Sequence, residues 1–146
     1  MSRFPTLSPW RRRALVFVTA ALCAAAFRAV LPSQTLATNM KESTDYSSSY
    51  EPVARRILQG RGPVMDNGTP LLRYPPGYPF LLAGVFAVSE ATGVSEERVL
   101  TLLHITSFAL AALFLFEIAS QLWPWPRTLL TPLAFSSYPL ALWATT

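Results

Sequence analysis

One cysteine and one histidine stand in 146 residues. The lone Cys23 excludes an internal disulfide framework and leaves the redox compartment open. No His/Cys metal cluster can be built from so few ligands, and neither a phosphate-binding P-loop nor a Ser-His-Asp set is present. Charge is scarce as well: Asp, Glu, Lys and Arg make up 14% of the chain, and 51% is hydrophobic. Soluble domains carry about a quarter charged residues, so an ordinary soluble domain is excluded. Internal repeats and low-complexity tracts are missing too. What lies between the sparse charges is a series of long apolar runs. Such runs read as membrane helices, which need roughly 20 apolar residues to cross about 30 Å of hydrocarbon.

The formal charge of +4 comes wholly from Arg3, Arg11, Arg12 and Arg13, since the other eight basic residues cancel eight acidic ones. The basic balance therefore points to membrane orientation and away from nucleic-acid binding. A basic cluster just before an apolar segment is held on the cytoplasmic side.

Read in order, the chain predicts an all-α, polytopic membrane helical bundle with an interfacial helix in its first extracytoplasmic loop. Residues 1–13 form the cytoplasmic basic start, and 14–32 the first span, with Arg28 snorkelling at its far end. A cleaved signal peptide, cut near Ala24-Ala25-Ala26, competes with that span. Residues 33–77 form the outer loop. Within it, Tyr50, Val53, Ala54, Ile57 and Leu58 recur on one face and predict an amphipathic helix over about 49–59. Its cap is either Ser48, at capping-box spacing from Glu51, or Ser49, which puts Pro52 at the third helical position. Gly60 is its natural stop. About three turns long, it is too short to span and is expected to lie along the bilayer, with Glu51, Arg55 and Arg56 among the headgroups.

Gly62-Pro63 and Asp66-Asn67-Gly68 are turn signals. Asn67-Gly68-Thr69 is also a glycosylation sequon, which a hairpin-like turn explains equally well. Tyr74 to Pro79, rich in proline, predicts a rigid extended approach to a second span over 78–94. A cytoplasmic turn at 95–98 follows, with Ser95 as N-cap and acids in the next helix's first turn. The third span covers 99–122, an outer Trp-Pro turn 123–127, and a fourth apolar run 128–146. That run continues to Thr146, and the chain reads as the N-terminal part of a larger membrane protein.

His104 and Glu117 are polar groups inside the third span. They lie about 20 Å apart along the helix axis and share no site. Asp45 draws more attention, because it stands just before the loop helix, at the depth of a lipid phosphate. Arginines suited to bidentate phosphate contact follow it. Among them Arg73 is anchored by the proline run, which would fix its position at little entropic cost.

Asp45, Tyr50, Ala54-Arg55-Arg56-Ile57-Leu58, Gly60 and Arg73-Tyr74-Pro75-Pro76-Gly77-Tyr78-Pro79 ahead of an apolar helix resemble the N-terminal region of GT-C glycosyltransferases. The nearest branch is that of protein-mannosyltransferases and aminoarabinose transferases. Ser95-Glu96-Glu97-Arg98 leading into a long span resembles their helix entry as well. The resemblance implies a membrane enzyme, in a bacterial inner membrane, that takes a sugar from a polyprenyl-phosphate donor at the extracytoplasmic face. Asp45 is then the general base for the acceptor, while Arg73, Arg55 and Arg56 stabilise the leaving phosphate. Tyr50 and Tyr74 shape the pocket. A divalent metal is left open, and sugar and acceptor are not specified. The chain departs from the family where Tyr46, not an acid, follows Asp45, and where Tyr74 replaces a lysine before Pro-Pro. The later spans and outer domain of such enzymes are absent from these residues, so this stretch alone is not expected to turn over. The competing reading is a non-catalytic membrane protein, or a transporter segment, with a structural or interaction loop.

Overall fold

In the computed structural model, residues 7–30, 45–65, 67–70 and 75–138 are described. Five α-helices follow in order: α1 (Pro9–Val30), α2 (Glu51–Leu58), α3 (Gly77–Thr92), α4 (Glu96–Leu122) and α5 (Leu130–Ser137). A π turn, Tyr46–Tyr50, runs directly into α2, and a 3₁₀ turn, Arg127–Leu129, into α5. Among the described residues no strand forms; one isolated antiparallel bridge joins Val64 and Pro70. The chain divides into two compact units, residues 1–30 with 104–146, and residues 31–103.

In the first unit, α1 starts at Pro9, well before the expected Ala14. Proline suits a first helical position because its missing N–H has no helical partner there. The Ser8 carbonyl accepts the Arg12 N–H at 3.1 Å, so Arg11, Arg12 and Arg13 belong to the helix. Val16, Ala20 and Ala24, spaced at i, i+4 and i+8, gather with Phe108, Ala109, Ala112 and Phe116 of α4 in one buried core. Small residues let two helix backbones approach closely, which is how apolar helices associate in lipid. Phe135 of α5 stacks on Phe108 with ring centroids 4.8 Å apart.

Polar contacts fix the direction of this pair. Arg13 Nε donates to Glu117 Oε1 at 2.7 Å, and its Nη2 to Oε2 at 3.2 Å. The Arg12 guanidinium lies 4.6 Å over the Trp125 ring. The start of α1 thus meets the end of α4, and with a core shared along their lengths the two helices run antiparallel.

Two helices, α1 and α4, are long and apolar enough to cross a membrane. Their outer faces expose Leu15, Leu22, Phe114 and Ile118 by 47% to 65%, large side chains that water-facing helices seldom show in a continuous row. The second span expected over 78–94 corresponds to helix α3. Helix α3 has 16 residues, about 24 Å at 1.5 Å per residue, short of the roughly 30 Å required. Within the first unit, the Trp-Pro turn lies beside the N-terminal arginines, with Trp125 under Arg12.

In the second unit, α2 packs on α3. Ala54, Leu82, Ala83, Val85, Phe86 and Leu100 form its buried core, with Tyr50, Ile57, Leu58 and Tyr78 partly buried against it. The apolar face of α2 is therefore covered by protein. Fully burying a Leu or Phe contributes about 1.5–3 kcal/mol each, so Leu82 and Phe86 supply much of what holds this short pair together.

Candidate functional site

Neither expected serine caps the loop helix. Asp45 already has helical backbone angles, and no side-chain cap forms at the π turn or at α2. The reason lies at Pro52, the second residue of α2. Its ring has no N–H and crowds the carbonyl four residues back, which breaks a regular α-helix. The preceding turn widens instead, and the Glu51 N–H reaches back to the Tyr46 carbonyl. Wide π turns of this kind frequently occur at functional sites. Ser49 becomes buried and Ser48 stays exposed, their hydroxyls 3.4 Å apart.

The other end of α2 follows the sequence expectation. Gly60 adopts φ +75°, its N–H bonds the Ile57 carbonyl, and the Arg61 N–H bonds the Arg56 carbonyl, both at 2.9 Å. These are the paired 6→1 and 5→2 bonds of a Schellman stop. Beyond it, Met65 donates to Thr69 at 2.7 Å, and Gly68 to Met65 at 2.9 Å. Asn67 Oδ1 accepts both the N–H and the hydroxyl of Thr69. The Asn-Gly pair therefore serves a hairpin-like turn. Of the proline-rich stretch, Gly77, Tyr78 and Pro79 form the first turn of α3, where proline loses no helical bond.

Asp45 is exposed at the start of the helical run, where a carboxylate is favoured by the helix dipole. Tyr50 meets Tyr78 edge to face, with centroids 5.2 Å apart and planes at 82°, so it packs α2 on α3. Arg73 and Tyr74 lie outside the described residues.

Arg55 is engaged from three sides. Its Nε and Nη2 donate to Glu51 Oε1 at 3.1 and 2.8 Å. Nη1 and Nη2 donate to Glu96 Oε1 and Oε2 at 3.2 and 3.1 Å. The guanidinium carbon lies 4.3 Å over the Phe86 ring. Hydrogen bonds to Glu51 and Glu96 push its pKa above the usual arginine value. A guanidinium held by two carboxylates brings no net positive charge, and Arg55 forms a clasp between Glu51 and Glu96. Arg56 lines a different feature, an open cavity of about 340 Å³ shared with Arg61, Gln59, Pro52, Glu51 and the flank of Arg55.

Sequence reasoning missed Glu96, Phe86, Tyr46 and Tyr78 as parts of this cluster. Glu96 was legible only as an acid in a helix's first turn; its partner lies 41 residues away. Among the described residues, no three His, Cys, Asp or Glu side chains gather to hold a metal ion. No family model, curated protein or solved structure matches the chain.

Proposed function

We propose that these residues belong to a membrane glycosyltransferase that moves a sugar from a polyprenyl-phosphate donor to an acceptor at the extracytoplasmic face. In this reading α1 and α4 cross a bacterial inner membrane with the arginine-rich start inside. Residues 31–95 then all lie outside, against the donor's leaflet. Asp45 takes the proton of the acceptor nucleophile as that nucleophile attacks the anomeric carbon. The bond from that carbon to the lipid phosphate breaks, and the phosphate leaves with its electron pair. Arg56 and Arg73 offer charge to that phosphate; Arg55, held in its clasp, does not.

The observation that carries the proposal is the setting of Asp45: an exposed carboxylate at the start of a helical run docked on α3 along its apolar face. The motif order from Asp45 through the Tyr-Pro-Pro-Gly-Tyr-Pro run supplies the substrate class by resemblance. The test is Asp45→Asn in the intact protein, reconstituted in vesicles with a polyprenyl-phosphate sugar. A general base contributes roughly 10²–10⁴-fold, so kcat should drop by that order while the donor KM holds. Turnover equal to wild type would remove Asp45 from the reaction.

A further inference from the structure

We propose that Arg55 and Glu96 are the positioning pair of this site: their bidentate link ties the helix bearing Asp45 to the first turn of the span α4. The proposal rests on the functional reading above and adds to it a part of the chain, Glu96, that the reading does not use.

Three observations lead here. First, the helical run from Asp45 to Leu58 is too short to hold itself. Isolated helices under about 12–15 residues are marginal in water, so its placement depends on what it docks against. Second, its apolar face contacts α3 through Ala54, Ile57 and Leu58, and apolar contact is non-directional. Such a face sets which side of α2 is down and leaves sliding and rotation loosely determined. Third, the directional contact comes from Arg55. A planar guanidinium accepts one orientation when both Glu96 oxygens and a Glu51 oxygen bond it while its face rests on Phe86.

The magnitudes also favour a geometric role. The side chains of Arg55 and Glu96 are 41% and 42% exposed, and ion pairs so exposed stabilise by only about 0–1 kcal/mol. Little stability is at stake, whereas a misplacement of about 1 Å at a reacting group can lower a rate by about 10²-fold. Glu51 and Glu96 differ in what they connect. Glu51 sits one turn from Arg55 on the same helix, so its bond links α2 only to itself. Glu96 belongs to another element, and its bidentate bond adds a directional link from α2 to α4 beside the apolar contact of Leu100.

The test separates the two acids in the intact protein. Spin labels at Ser47→Cys and Leu102→Cys, in a Cys23→Ala background, report the placement of α2 against α4. Glu96→Gln should broaden the distance distribution and lower kcat roughly tenfold to a hundredfold, with the donor KM unchanged. Glu96→Asp should restore both, and Glu51→Gln should leave both near wild type. An unbroadened distribution in Glu96→Gln overturns the positioning role. So does a broadened one with wild-type kcat, or equal effects from Glu51→Gln and Glu96→Gln. If the wild-type protein transfers no sugar, the functional reading and the positioning role fall together. The distance measurement then still reads whether the clasp holds α2.

Discussion

Tyr46 is half-buried in the second unit, and its phenol is pushed up to about 12, first by burial and then by the charges of Glu51, Tyr78 and Glu96, with Arg55 acting in the opposite sense. A raised pKa means the folded state favours the neutral phenol. Its contribution to stability is therefore complete below the ordinary tyrosine value of about 10, and is lost as pH rises from there through about 12. Tyr78 is shifted in the same direction, chiefly by burial. Thermal unfolding followed from about pH 9 to pH 12 should show a falling stability that Tyr46→Phe flattens. An unchanged slope in that variant would mean that Tyr46 is solvated in the folded chain. The position immediately after Asp45 thus holds a neutral group, where an acid would put a second negative charge beside the candidate base.

At the scale of elements, the pairing of α2 with α3 depends on a few fully buried side chains. Phe86 is 1% exposed, and it also carries the Arg55 guanidinium on its face. Truncating a buried Phe costs about 3–5 kcal/mol. Phe86→Ala should therefore release α2, seen as faster hydrogen exchange at Val53 to Leu58 with α4 amides little changed. Protection of α2 equal to wild type would show that another surface holds it.

The same elements show what could be read from sequence. The face Tyr50, Val53, Ala54, Ile57, Leu58 and the stop at Gly60 were legible because both are local patterns. The serine caps were misread because capping rules treat the first turn as free to choose its cap, whereas Pro52 forces a π turn that carries the helix back to Asp45. Phe80 to Val88 of α3 is apolar enough for a span or for a packed helix, and composition does not separate the two. The pairs Arg55–Glu96 and Arg13–Glu117 join residues 41 and 104 positions apart, and no local periodicity specifies such partners. The resemblance that suggested Asp45 also suggested Arg55, and the clasp that Arg55 makes is a matter of geometry that no motif carries.

At the scale of the whole molecule, the proposed reading, with α1 and α4 as the crossings, makes a prediction that differs from the one drawn from hydropathy. In a Cys23→Ala background, Asn67→Cys and Ala91→Cys should both react with an impermeant thiol reagent from outside, and Pro124→Cys only from the cytoplasmic side. A single crossing at α3 would instead place Ala91→Cys inside and Pro124→Cys outside. Adding Glu117→Ala should leave the labelling pattern as it is, because the arginine cluster sets orientation and the ion pair does not.

That last expectation is a matter of timing. Arg13 and Glu117 are separated by 104 residues, and a ribosome adds about 5–20 residues each second, so roughly 5–20 s pass between their synthesis. In the proposed topology, all the N-terminal arginines act together on the newly made α1 throughout that interval. Only when α4 emerges does Glu117 engage one of them, after the direction of entry is already decided. In the proposed topology, the charge that orients the chain at birth is thus partly converted, seconds later, into the bond that closes its helical hairpin.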